Sequence, residues 1–577
     1  MIRSLACATL CLSAPVFCAA PSQQQVRAAA QRSIALIQKV GSNWKVPCYS
    51  CHHQTMPAVA LETARAHGLA VDEKVAQAVA GTSLEFLSSI DAAVEDRRLI
   101  DPALSEGYFL WGAQASGIAP SLTLAVYARR LANLQLEDGH WSNFDNRPPH
   151  SQSVFTSTSL AAAAVAYYLP EELSRQRAAT LAKARLWLNG TKPADTEGST
   201  FRLLGLKWAG APEADRKAAA QELLARHNSD GGWPQVPGLA SDAYSTAQAI
   251  TALRQAGHVS AGQAEIENGV AWLVKNQRPD GAWLVKTRLR TPAQVSPPYF
   301  ESGFPGGHDQ YLSCAATSWA VMALAEMLPA AASPTVAAPV TSATPRAEQP
   351  WMKTALFGSL SELTALLDKG LDVNTATPEG TSLLMMAVDD EAKVRLLLDR
   401  GANVNAQSKS GYDALLVASL VKGNRPVLKA LIAKGASPKT RANVKFRMTP
   451  LMRVAYTGDV GMAEELIAHG ADPKQFSMLT GLAAMTPLGV AVALGQYDLV
   501  RYLIKSGVSV DETDDDKMTN LSWAALSHRN DSVKLLLELG ANPNHVDKFG
   551  FTPLRHTGGI SGFSSETADL LKPLARK

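Results

Sequence analysis

Cysteine is scarce in this sequence. Six occur in 577 residues, and Cys7, Cys11 and Cys18 crowd the first eighteen. Beyond them stand only Cys48, Cys51 and Cys314, and three thiols do not make a disulfide framework. An excess of one charge is missing too. The formal net charge is +3, which excludes a bulk attraction to nucleic acid or to an anionic membrane. After residue 20 no long charge-free apolar run occurs, so no integral membrane segment is expected once a leader is removed. Aromatics reach only 6%, yet the 11 Trp nearly equal the 12 Tyr. The length predicts roughly three domains.

What is present begins with "MIRSLACATLCLSAPVFCAA". One Arg, a short apolar run from Leu5 to Phe17 and small residues make the layout of a secretory signal peptide, 1–20. It predicts export to the periplasm or beyond. A second marker is the Pro- and Ala-rich stretch 329–350, read as an extended linker between two repeat architectures. The expected parts are 1–20, a short segment 21–65, a helical region 66–328, the linker 329–350 and a second array 351–577.

In 351–577 a period of about 33 residues recurs. Helices stop at Gly370, Gly401, Gly435, Gly470, Gly507 and Gly540, spaced 31 to 37 apart. Each glycine can take the left-handed conformation that ends a helix. New helices open with Thr-Pro at Thr449, Thr486 and Thr552, where Thr caps and Pro fits the first turn. "GTSLLMMA", "GYDALLVA" and "KMTNLSWA" lack the Pro. This pattern resembles ankyrin repeats, about six of them. The resemblance implies stacked helix pairs whose concave face docks a protein partner, and it implies no catalysis.

Before the linker, "LEDGHW", "NSDGGW" and "RPDGAW" end at Trp141, Trp233 and Trp283. Asp-Gly makes a tight turn, and the following Trp can staple that turn to the next helix, which is rich in Ala, Ser and Thr. These motifs resemble the Gln-Trp repeats of squalene-hopene cyclases and of protein prenyltransferase beta subunits. That resemblance implies an α/α toroid of five or six helix pairs. The expected fold is therefore all-α, a terpenoid cyclase-like α/α toroid followed by an ankyrin solenoid, with a small apolar ligand as the toroid's candidate guest.

An enzyme of that class is harder to find. Cyclases protonate an alkene with an Asp-x-Asp-Asp motif, whose acid must be tuned by neighbouring carboxylates. The corresponding "ASDAYSTAQA" keeps only Asp242, with Tyr244 and Ser245 beside it. A prenyltransferase zinc site would need Asp, Cys and His, and His308, Asp309 and Cys314 lack the Asp-x-Cys pair. Tyr299, Glu301, His308 and Asp309, with Asp242 and Tyr244, are candidate pocket residues. Asp145 and His150 occupy the equivalent loop one repeat earlier. A capping role for these loops is an equal reading. Asp514 to Asp516 read as a solvated run.

The last motif is "CYSCH", Cys48 to His52. It resembles the attachment site of c-type cytochromes. The resemblance implies one covalent haem c, thioether-linked through Cys48 and Cys51, with His52 as the iron ligand. The opposite ligand is open: His53 and Met56 are too close in sequence, and His67, His150 or His308 could come across. A redox or structural disulfide and a metal site are the rivals. The favoured function is an exported haem-bearing binding, sensing or electron-transfer protein. The alternatives are a terpenoid- or prenyl-active enzyme and a pure interaction scaffold.

Overall fold

The structure is a computed structural model that describes residues 20–43, 51–96, 101–143, 148–288, 301–332, 348–442, 448–479, 483–558 and 566–575. The first 1–19 residues and most of the linker lie outside this set.

Six helices form an inner ring: α2 (Met56–Ala66), α5 (Pro102–Ala115), α7 (Val154–Tyr168), α9 (Thr196–Trp208), α11 (Ala243–Gln255) and α13 (Gln310–Ala325). They contact one another in that order, and α13 returns to α2. Six more lie outside: α1 (Gln23–Asn43), α3 (Glu73–Leu84), α6 (Leu122–Asn133), α8 (Ser174–Gly190), α10 (Glu213–Leu224) and α12 (Ala264–Asn276). Each outer helix packs against two neighbouring inner ones. A short helix, α4 (Ile90–Glu95), lies against α6. The inner helices are buried almost all round, which their small residues allow. A Cβ added at Gly205 of α9 would lie 2.1 Å from Ser159 Oγ on α7, so the two backbones approach closely there.

The segment 21–65 does not stand apart from the ring. Its helices α1 and α2 are the outer and inner members of one pair, and both pack on α13. The physical reason is burial: Val26, Ile34, Ile37 and Val40 of α1 turn one apolar face into the core.

The Asp-Gly-x-Trp turns repeat one device. The indole N–H of Trp141, Trp233 and Trp283 donates to the carbonyl ten residues earlier, on Leu131, Leu223 and Leu273, at 2.6, 2.9 and 3.0 Å. The backbone N–H of each Trp donates to a Thr of the following inner helix, Thr158, Thr246 or Thr317, at 3.0, 2.9 and 3.3 Å. One residue thus ties the end of an outer helix to the next inner helix.

Among the described residues seven helix pairs follow the ring. Their inner members are α14 (Pro350–Phe357), α16 (Leu383–Met386), α18 (Ala414–Ala418), α20 (Pro450–Thr457), α22 (Pro487–Ala493), α24 (Asn520–Leu526) and α26 (Pro553–His556). The outer members are α15 (Leu360–Asp368), α17 (Glu391–Asp399), α19 (Arg425–Ala433), α21 (Val460–Ala468), α23 (Tyr497–Lys505), α25 (Asn530–Glu538) and α27 (Glu566–Leu571). The six helix-stop glycines all have φ between +89° and +97°, a conformation that costs glycine little. The openers without Pro keep a cap: Ser382 accepts from Met385 N at 3.2 Å, and Asp413 from Leu416 N at 2.8 Å. One finger loop forms a small hairpin, with β1 (Ser477–Leu479) antiparallel to β2 (Ala483–Met485). Among the described residues no helix is long and apolar enough to cross a membrane.

Candidate functional site

The inner helices of a stacked array leave one face open unless something covers it. Here α16, α18 and α20 are buried at every residue. The cover is the chain's own ring, through α4 and α6. On α4, Asp91 and Glu95 are one turn apart and share a face. Asp91 accepts from Thr377 Oγ1, and Glu95 Oε1 accepts from Thr381 Oγ1 at 3.1 Å. Both threonines belong to one finger turn, which Gly380 closes at φ +88°. From α6, Arg129 donates to the Leu356 carbonyl at 2.7 Å and pairs with Asp389 at 3.0 Å.

The centre of this junction is charged. Arg453 of α20 is fully buried, and its guanidinium donates to the Glu95 carbonyl at 3.0 Å, where α4 ends. Its Nε and Nη2 have no hydrogen-bond partner among the described residues. Asp96, the left-handed residue that ends α4, pairs with Arg130 at 3.2 Å. Glu106 of α5 faces Asp96. Burial first, and Asp96 second, push the Glu106 carboxyl well above the usual carboxylate range. Sequence reading missed this network. Its one signal was Arg453 itself, in "TPLMRVA", at the helix position where neighbouring repeats carry Met386, Val417 and Val490.

A second cluster lies on the ring axis. Trp319 of α13 meets Trp111 of α5 and Phe201 of α9, with centroids 5.8 and 6.1 Å apart. None of these helices is a ring neighbour of Trp319's own, so all three rings project inward. Toward the helix N-termini, His150 stacks on Tyr108 at 5.2 Å and bonds the Tyr244 hydroxyl at 3.1 Å. Thr156 donates to Glu197 at 2.8 Å. Burial, then Asp195, push the Glu197 carboxyl well up. Arg288 is buried beside them and donates to Gln235 and Gln152.

The residues singled out from sequence scatter over this frame. Asp242 is the N-cap of α11 and accepts from Ser245 N at 2.9 Å; burial pushes its carboxyl up to about 6. Glu301 is exposed and accepts from Gly303 N at 2.7 Å. His308 is exposed in a short turn, and Asp309 accepts from Thr287 N at 3.1 Å. Of them, Tyr244 and His150 reach the axis. His67 bonds the Leu328 carbonyl at 2.8 Å, and Asp514 accepts from the Trp523 indole at 2.7 Å instead of standing free in solvent. Cys314 is buried in α13, and burial raises its thiol. Among the described residues no His, Cys, Asp and Glu cluster could hold a metal ion. Tyr299, Asp145 and Cys48 lie outside the described residues, as do the side chains of Cys51 and His52.

The backbone from Cys51 to Thr55 forms one π-helical turn that leads into α2. It packs against α5 and α13, and Thr55 sits where a Cβ on Gly112 would be, 2.6 Å from its methyl. His53 is buried, which pushes it down to about 3 and holds it neutral.

The stacked pairs match the family profile "Ankyrin repeats (3 copies)" over residues 351–442, 415–514, 451–547 and 488–571. The C-terminal region is an array of ankyrin repeats. Among curated proteins, human SH3 and multiple ankyrin repeat domains protein 2 is 35% identical over 99 residues, 17% of this chain and 5% of that protein. Palmitoyltransferase AKR1 of Lachancea kluyveri is 31% identical over 140 residues, 24% of this chain and 18% of that protein. The chain thus spans a small fraction of the length of these relatives. Among solved structures, the human ASB11 ankyrin repeat domain is 26% identical, covers 40% of this chain and 99% of its own, and gives a TM-score of 0.35. The ankyrin repeat domain of Bcl-3 is 21% identical over 39% of this chain and 98% of its own, with a TM-score of 0.32.

Proposed function

We propose that this chain is a protein-interaction scaffold, in which the ankyrin array recognises a protein partner and the helical ring is its platform. The observation that carries this reading is the run of seven stacked pairs with finger turns along one edge. Those fingers expose side chains suited to protein contact: Phe476 and Val546 are each 53% exposed, and Lys409 is exposed on another turn. An aromatic or branched side chain held out on a fixed turn loses little entropy on docking. The test places a photo-crosslinking residue at Lys409 or Val546 of the full chain, and at Leu186, which is 72% exposed on α8 of the ring. A discrete protein adduct from the fingers and none from Leu186 is expected. Equal labelling at Leu186, or none at the fingers, ends the reading.

A second reading rests on "CYSCH". Cys48 and Cys51 would hold a haem c covalently and His52 would ligate its iron. The donor set fits that group, and the π turn supports it, since such turns recur at functional sites. The described backbone of the turn packs on α5 and α13, and the side chains that would hold the haem lie outside the described residues. When bound, haem supplies a redox or ligand-binding iron. Export through 1–20 belongs to the same reading. An absorption spectrum and intact mass test it, beside Cys48→Ala/Cys51→Ala, after export in a host with cytochrome c maturation. A Soret band with added haem mass, lost in the variant, supports it; no band and no added mass removes it.

The closed ring of alternating helices is the arrangement that a terpenoid cyclase-like toroid would have. The enzyme alternative loses Asp242 as a free acid, because its carboxylate caps α11. The apolar guest has aromatic rings meeting on the axis as its candidate lining.

A further inference from the structure

We propose that the covered inner-helix face of the ankyrin array is a docking groove occupied by the chain's own α4, and that its external partner is a short acidic amphipathic helix that displaces α4. This rests on the scaffold reading and names the partner class for it.

The internal occupant shows what the groove selects. It presents carboxylates at i and i+4, Asp91 and Glu95, to the Thr377 and Thr381 hydroxyls of one finger. It places Val94 among the apolar side chains of the array, with Met385 and Val417 in the same core. It ends with a backbone carbonyl on Arg453. This is helix-in-groove recognition read from both sides.

The fit is incomplete at one point, and that point makes α4 replaceable. Arg453 is fully buried, yet two of its three guanidinium nitrogens have no hydrogen-bond partner among the described residues. A carbonyl satisfies one donor of a group built for bidentate carboxylate recognition. A helix of the same pattern that ends in a carboxylate at Arg453 would satisfy the rest. Leaving buried charged donors unmade is costly, so such a helix has the advantage over α4.

The probe is a fluorescent synthetic peptide of residues 84–96, made with a free C-terminal carboxylate and also as the amide. Its binding to the full chain is followed by anisotropy. The wild-type chain, with its groove filled, should bind the peptide weakly. Asp91→Ala/Glu95→Ala loosens the internal α4 and should tighten peptide binding by on the order of tenfold to a hundredfold, the loss of two charge-assisted hydrogen bonds. Adding Thr377→Val/Thr381→Val should abolish that gain, and the carboxylate peptide should bind more tightly than the amide. Hydrogen exchange supplies the second readout: in Asp91→Ala/Glu95→Ala the amides of α16 and α20 should lose protection while those of α17 and α21 keep it. A folded variant that binds no better than wild type, with α16 and α20 still fully protected, overturns the proposal. Finger crosslinking that persists in that case leaves the scaffold reading standing. Peptide binding without any crosslinked partner leaves the groove and removes the scaffold.

Discussion

The guanidinium of Arg453 lies over the ring of Tyr412, 5.4 Å from its centroid. Tyr412 belongs to the preceding repeat, and Arg453 reaches past it to the end of α4. One buried cation therefore joins two ankyrin repeats to the ring. Removing it should leave Arg130 as the cation facing Asp96 and the Glu95 carbonyl at the end of α4 without its donor. Arg453→Ala is expected to cost about 3 kcal/mol in urea unfolding, and Arg453→Met clearly less, because an apolar side chain of similar length fills the space. Equal midpoints for the two variants would show that volume alone matters there.

The tryptophan staples predict a graded series. Trp233→Phe loses the indole bond to Leu223 but keeps most of the packing, and should cost about 1–2 kcal/mol. Trp233→Ala should cost about 3–5 kcal/mol. Thermal melts of the two variants, with the same pair at Trp283, give the comparison. A Phe variant as unstable as the Ala variant contradicts the hydrogen-bond account.

Two glycines separate backbone strain from crowding. Gly139 has φ +104°, and a Cβ there would lie 2.3 Å from the Lys183 carbonyl oxygen. Gly210 has φ +69° and open space around it. Gly139→Ala should destabilise by several kcal/mol because backbone must move. Gly210→Ala should cost only about 1 kcal/mol, the left-handed penalty alone. Denaturant midpoints at constant m-value decide it.

Stability should depend on pH with two opposed slopes. Burial, and then Arg288, push His528 down to about 4. Its folded value lies below the unfolded 6.5, so its contribution is full above 6.5 and is lost as pH falls toward 4. Asp242 is raised from 3.8 to about 6. Its contribution is full below 3.8 and is lost as pH rises through 6. Each is worth on the order of 2 kcal/mol, since both side chains keep some contact with solvent. His528→Gln should flatten the acid limb and Asp242→Asn the neutral limb. A profile left unchanged by either substitution refutes the assignment.

How much of this was legible in the sequence depends on the range of each interaction. Gly401 and Thr449 announce a helix end and a helix start within a few residues, so the ankyrin array reads directly. The same holds for Trp233, whose partners stand ten residues before it and thirteen after it. The clasp is different. Glu95 and Arg453 are 358 residues apart, and no local periodicity links them. An arginine in an apolar register was the only trace. Asp242 illustrates the opposite error: an acid that a family pattern marks for chemistry is held by the amide beside it. The place of α1 and α2 in the ring also stayed hidden, because a short helical segment before a cysteine motif gives no sign of a neighbour near residue 281.

That neighbour fixes an order in time. Ser33 of α1 donates to the Gly281 carbonyl at 2.7 Å across 248 residues of chain, and α13 closes the same seam. The ring cannot shut until its last helix has been synthesised, and long-range closure is slow. Until then the apolar face of α1, with Val26, Ile34 and Ile37, has no α13 to pack against.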